Sequence, residues 1–199
     1  MKHSPTQVQQ LVTAPAAEPV TTAELKAQLR LNDSSEDSLL AGYIKSAREY
    51  FENLTHLSVR ETAWKQWSTY LNNPVPLLMG NVRAISAVKY YNTSDVLTTT
   101  TDYSSDIIGT PALVWFESPP AVKENRKFIM SIEYTAGWDS DKVPQLVKDF
   151  VLIVAAYKYS VREAFSETNW NEIPLGARNI ASQYMTGYSY RGEDYGRCW

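Results

Sequence analysis

Between Ser35 and His56 the chain reads SEDSLLAGYIKSAREYFENLTH, and this stretch constrains the fold more than any other. Its apolar residues are Leu39, Leu40, Tyr43, Ile44, Ala47, Tyr50, Phe51 and Leu54. Wound at about 100° per residue, they occupy an arc of roughly 140°. A stripe that wide predicts a long helix lying with one face on a core. Lys45, Arg48, Glu49 and Glu52 fall on the opposite side. Ser34 or Ser35 is expected to cap the start, with Glu36 and Asp37 in the first turn, where the helix dipole favours negative charge. The pattern describes packing and carries no activity of its own.

A shorter helix precedes it. Thr21 and Glu24 form a T-x-x-E capping box, and Val20 and Leu25 are spaced as a hydrophobic staple around it, so a helix is expected over about 22–29. After His56 the composition turns to Thr, Trp, Tyr and Val, which suits strands. Strands are expected at Val59–Leu71, Val82–Tyr91, Val96–Thr101, Pro111–Glu117 and Lys127–Thr135. In the last of these, Phe128, Met130, Ile132 and Tyr134 alternate with Lys127, Ile129, Ser131 and Glu133, the period of two of a sheet with unlike faces. Ala136-Gly137-Trp138-Asp139 closes this β region. Pro144 then suits the first turn of a helix running to about Glu163, apolar all round from Phe150 to Tyr157. A short helix is expected over about 174–185. The fold class is α+β: a small helical bundle with an inserted, mainly antiparallel sheet of four to six strands and extended termini. Residues 1–19, with Pro5, Pro15 and Pro19, read as an extended arm or a disordered tail. Residues 20–185 read as one domain, with helices in 20–57 and 144–185 around a β insert at 58–138, and 186–199 as a C-terminal tail.

The search for chemistry is mostly negative. His3 lies in the arm, and His56 ends the long helix with no HExxH or HxH partner. Cys198 is the one cysteine, next to last in a polar tail, so it neither makes an internal disulfide nor has a visible base beside it. No GxGxxG or GxxxxGK[ST] is present. Asp139 and Asp141 are too few oxygens for a calcium loop, and Glu193-Asp194 reads as solvated tail charge. No cofactor, metal or catalytic residue is expected, and an enzyme is not. A formal net charge of −3 opposes a primary nucleic-acid binder, which needs a basic face to displace counterions. No run reaches the ~18 apolar residues of a membrane span, and no signal peptide is read at the N-terminus.

The search for binding is more productive. Thirteen Tyr and six Trp are available, residue types that dominate interface hot spots. The tail Tyr188–Trp199 combines Tyr188, Tyr190, Arg191, Tyr195, Arg197 and Trp199 with almost no aliphatics. It reads as a docking arm or as a frayed terminus. Trp64, Trp67 and Tyr70 make a second aromatic cluster, but on a strand Trp67 opposes the other two. They serve either a core or a neighbouring molecule. The helix containing Phe150 and Tyr157 is either central or shared with a second subunit.

Taken in order, these features resemble the phage head–tail connector family, also called adaptor or head-completion proteins, in its longer form with a β insert. The opening Val20-Thr21-Thr22-Ala23-Glu24-Leu25-Lys26 with Leu29-Arg30 is similar to the family's first helix. Asp37, Leu40, Ile44, Ala47-Arg48 and Glu52 are similar to its second. Val82–Tyr90 resembles its valine-patterned strand. Ile132–Trp138, Val143-Pro144, Tyr159 with Arg162-Glu163, and Ile173-Pro174 resemble its most telling later run. The resemblance covers about 20–185 and leaves both termini outside.

It implies a structural virion protein without catalysis, assembled in the host cytoplasm and placed at the head–tail junction. Family members form a ring, typically of twelve subunits, beneath the portal protein. The ring extends the DNA channel, lets DNA pass without sequence-specific binding, and presents a surface to a tail, stopper or tail-completion protein. On this reading the tail residues Tyr188 to Trp199 dock to the portal, and Arg48, Glu52, Trp64, Trp67, Phe150 and Tyr157 are candidate subunit-interface residues. The rival reading is a carbohydrate- or other ligand-binding module using exposed Trp and Tyr.

Overall fold

The structure is a computed structural model, and it describes residues 7–123, 125–161 and 174–185. Its elements in chain order are β1 (Gln7–Thr13), α1 (Thr22–Leu29), α2 (Asp37–Thr55), β2 (Thr62–Ser68), β3 (Val75–Pro76), β4 (Val82–Tyr91) and β5 (Leu97–Thr100). They continue with β6 (Ser104–Asp106), β7 (Leu113–Trp115), β8 (Met130–Ala136), α3 (Gln145–Ser160) and α4 (Leu175–Tyr184). The class is α+β, and the chain divides into two compact units, one helical and one β.

The helical unit takes described residues from 15–61 and 138–185. In α1 the capping box is present: the Glu24 N–H donates to Thr21 Oγ1 at 3.1 Å, and the Thr21 N–H donates to Glu24 Oε2 at 2.6 Å. The Thr21 N–H and the Thr21 hydroxyl, both donating to Glu24 Oε2, hold the Glu24 carboxyl below its usual range. α2 starts later than its caps suggested. Glu36 stands at the N-cap position without a side-chain cap, because Ser35 is occupied elsewhere: its N–H and hydroxyl both donate to Asp33 Oδ1. Asp37 in the first turn accepts from Lys26 Nζ at 2.8 Å. The α2 stripe Leu40, Ile44, Ala47 and Phe51 is buried against Leu25, Val59 and the α3 stripe Val147, Phe150, Val151, Val154 and Ala155, with Ala177 and Ala181 of α4 joining them. The Phe51 ring meets those of Phe150 and Tyr184 edge-on, at centroid distances of 5.0 and 5.7 Å. α3 is buried along one stripe. Leu152, Ile153, Ala156 and Tyr157 beside it are half-buried, and Leu146 is exposed.

The β unit takes described residues from 7–14 and 62–137. It holds two sheets where the strand pattern suggested one. The larger has the order β1-β2-β8-β4-β5, and every neighbouring pair is antiparallel. The smaller has the order β3-β7-β6 and is also antiparallel. β8 lies at the centre of the larger sheet, which is why its alternation was the clearest in the sequence: Met130, Ile132, Tyr134 and Ala136 all face the core. Opposite them on β2 stand Ser68, Gln66, Trp64 and Thr62. Gln66 is buried but satisfied. Its Nε2 donates to the Pro76 carbonyl at 2.9 Å, and its Oε1 accepts the Leu78 N–H at 2.8 Å. Asn73 extends the β3–β7 ladder with its side chain, donating to the Phe116 carbonyl at 2.8 Å and accepting the Phe116 N–H at 3.0 Å. Val75 pairs with Val114, so the Asn73–Phe116 exchange is the next rung of the same register.

Candidate interaction surfaces

In the helical unit the polar centre is Arg48. It is 2% exposed, held on the buried side of α2 by three carboxylates. Nη1 meets Glu52 Oε2 at 2.5 Å, Nε meets Glu18 Oε2 at 2.8 Å, and Nη2 lies 3.6 Å from Glu49. Glu52 also accepts the Val59 N–H on Oε1 at 2.9 Å. Burial raises the Glu52 carboxyl, and the Arg48 guanidinium and the Val59 N–H oppose it. The cluster therefore ties Glu18, one turn of α2 and Val59 into one network.

A shallow groove runs along the first half of α2. It is lined by Ser35, Glu36, Ser38, Leu39, Gly42, Tyr43 and Ser46, with Lys158 from α3. Lys158 donates to Ser46 Oγ, and Tyr159 Oη donates to Glu36 Oε2 at 2.6 Å. Lys158 and Glu36 are thus each engaged by a hydrogen-bond partner.

In the β unit the sheet face away from the core carries a charge triad. Lys65 and Lys89 both meet Glu133 Oε1, at 2.8 and 3.0 Å. The hydrogen bonds from Lys65 and then Lys89 hold the Glu133 carboxyl below its usual range. Trp67 lies beside them, with Lys65 Nζ 5.4 Å from its ring centroid. Trp64 belongs to the other face, half-buried against the core, its Nε1 donating to Thr62 Oγ1 at 2.8 Å. At one end Arg126 stacks 3.4 Å over the Tyr91 ring while bonded to Asp95. Buried Tyr134 accepts the Met79 N–H at 3.2 Å, and burial raises its phenol. Among the described residues no three His, Cys, Asp or Glu side chains converge as a metal site requires, and no helix is long and apolar enough to cross a membrane.

Residues 20–114, which span α1, α2 and the strands as far as β7, match the family model of the phage gp6-like head-tail connector protein. Over that span the chain is similar to gp6-like head–tail connectors. No curated protein sequence matches it. The fold is similar to solved chains from gene transfer agent (GTA) particles. One comes from the neck of an empty GTA particle computed with C6 symmetry, at a TM-score of 0.75 and 18% identity, covering 93% of this chain and 98% of that one. A second comes from the neck of a native GTA particle computed with C12 symmetry, at a TM-score of 0.73 and 18% identity over the same shares. A third comes from the virion of a native GTA particle, at a TM-score of 0.72 and 18% identity, covering 92% of this chain and 98% of that one.

The expected interface residues divide by exposure. Arg48 and Glu52 are interior to the helical unit, and Phe150 is fully buried there. The side of α2 that carries charge is therefore not uniformly a wet face: Glu49 remains half-exposed, whereas Arg48 and Glu52 are covered. The apolar stripe of α2 is wide enough that residues just beyond its border are still roofed over by other chain segments. Trp64, Trp67 and Tyr157 are half-buried. Tyr188, Tyr190, Arg191, Tyr195, Arg197 and Trp199 lie outside the described residues. The outer edges of the larger sheet, β1 and β5, which have no further strand partner among the described residues, were not singled out by sequence reasoning; the uncharged runs that compose them are their one visible signal.

Proposed function

We propose that this connector is a structural virion protein that joins a capsid to its tail as one subunit of a ring, extending the DNA channel beneath the portal. The observation that carries this reading is the pair of likenesses just described: a connector-family match over 20–114 and a fold shared along nearly the whole chain with GTA neck chains. The two neck symmetries favour a ring of six-fold or twelve-fold order, and twelve subunits is our reading. A ring needs two unlike faces per subunit that meet head to tail. The half-covered flank of α3 at Leu152, Ile153, Ala156 and Tyr157 suits one of them and makes α3 the central helix of the assembly. Trp67 suits an exposed contact better than Arg48, Glu52 or Phe150, whose contacts are spent inside their own subunit. Of the expected arm, Gln7–Thr13 belongs to the larger sheet as β1; residues 20–185 act as the connector domain and 186–199 as the portal-docking tail, with a tail, stopper or tail-completion protein on the far side. A formal charge of −3 favours DNA passing without being gripped. Assembly in the host cytoplasm follows from this role.

The reading as an enzyme draws no support from the polar clusters, whose members are paired with each other. The carbohydrate-binding alternative needs coplanar exposed aromatics, whereas Trp64 and Trp67 occupy opposite faces of β2. Electron microscopy of tailed particles, with the protein tagged and with its gene deleted, tests the role. Density at the head–tail junction that carries the tag and vanishes on deletion is expected. A tag found elsewhere on the particle, or unchanged necks without the gene, would refute it.

A further inference from the structure

The larger sheet ends in two strands that have no outer partner among the described residues, β1 on one side and β5 on the other. Free edges of soluble proteins are usually defended with lysine, proline or inward charge, because their unpaired N–H and C=O groups template further pairing. Neither edge here has such a defence. Gln7–Thr13 reads QVQQLVT and Val96–Thr101 reads VLTTTT, with no charge and no proline in either. Both expose aliphatic side chains instead: Val8, Leu11 and Val12 on one, Val96 and Leu97 on the other, with Val12 58% and Val96 56% exposed.

The two edges also match in direction. Five strands alternate across an all-antiparallel sheet, so the first and fifth point the same way. One row of paired residues crosses the sheet from edge to edge: Val8, Trp67, Ser131, Lys89 and Thr99. Val8 and Thr99 therefore lie on the same face, at opposite ends.

Resting on the ring reading above, we propose that β5 of each subunit pairs in parallel with β1 of the next, joining the larger sheets of neighbouring subunits into one belt around the ring. The occupant of each edge is a second copy of this chain. A head-to-tail contact that uses unlike edges leaves a fresh edge on every added copy, which is the property a closed ring requires. Pairing one β1 with another would instead run antiparallel and stop at a dimer. Parallel pairing is slightly weaker per residue than antiparallel, and the exposed aliphatics at both edges supply side-chain contacts across the join.

Cross-linking in isolated necks tests this. With Cys198→Ser removing the native thiol, Val8→Cys and Thr99→Cys are combined in one chain and treated with a short bismaleimide. Covalent multimers larger than a dimer are expected from the double variant. Necks assembled from the two single variants mixed should stop at dimers, and each single variant alone should stay monomeric. Gln10→Cys with Thr101→Cys, the next pair in the same parallel register, serves as a second pair should the first fail to assemble. Dimers from Val8→Cys alone would overturn the proposal in favour of β1 meeting β1. Monomers from both double variants, in necks where microscopy finds the protein, would overturn it and leave the connector role intact. Necks that lack the unaltered protein would overturn both.

Discussion

Arg48 and Glu52 stand one turn apart on α2 and meet 2.5 Å apart inside the helical unit, both almost wholly shielded from water. The same i, i+4 spacing on a solvated helix contributes only a few tenths of a kcal/mol. Here its meaning changes, because Glu18 from 30 residues earlier and the Val59 N–H complete the network. Removing Glu52 leaves the Arg48 guanidinium without its closest counter-charge in a place nearly shielded from water.

Glu52→Ala should therefore cost about 3 kcal/mol or more of stability, the range seen when one partner of a buried ion pair is deleted. Glu49→Ala, at a half-exposed carboxylate on the same guanidinium, should change stability by less than about 0.5 kcal/mol. Urea denaturation followed by circular dichroism measures both. Equal effects would mean that Glu52 is solvated in solution.

Gln66 is the buried polar residue on which β2 holds the segment 76–78. Gln66→Met keeps the volume but leaves the Leu78 N–H and the Pro76 carbonyl without partners. A loss of about 2–3 kcal/mol is expected, since each buried orphan costs on the order of 1–3 kcal/mol. Amide hydrogen exchange should show faster exchange at Leu78 first.

The Glu133 triad has a defined pH signature. The Glu133 carboxyl sits below its usual range in the folded state, chiefly through the hydrogen bond from Lys65. Its contribution is therefore fully present above the unfolded carboxyl value, near pH 4.3, and is lost as pH falls through the lower folded value. The triad is partly exposed, so the contribution stays under about 1 kcal/mol. Wild type and Glu133→Gln should differ in urea midpoint at pH 7 and converge below about pH 4. A gap that widens on acidification would contradict the assignment.

Gly42 lies inside α2, and a Cβ built there meets nothing within 4 Å. Gly42→Ala should raise stability by about 0.5–1 kcal/mol, the helix-propensity difference between the two residues. Thermal denaturation checks the sign. Since Gly42 lines the groove beside Leu39 and Tyr43, a stabilised variant that no longer assembles would also place that groove in an interface.

Much of the helical framework is legible locally. The Thr21–Glu24 box needs only four consecutive residues, and it is present as read. Val82–Tyr91 is a strand over the span its β-branched and aromatic residues suggest. The Met130–Ala136 alternation reads correctly because β8 is central and has one face on the core throughout. The α2 cap was misassigned for a reason just as local: Asp33 competes for Ser35.

Sequence alone determined what depends on neighbours within a turn or a pleat: the helix stripes, the capping box, the alternation of β8, and an order of elements similar to head–tail connectors. Only the tertiary structure decided that Arg48 and Glu52 are interior, because the residues that cover them come from Glu18 and Val59. It alone decided that Gln7–Thr13 is the first strand of a sheet whose next strand begins 49 residues later, at Thr62. Periodicity reports which face of an element is apolar. It cannot report which distant segment arrives to cover the polar face or to pair with an edge, since that depends on contacts set by the whole chain.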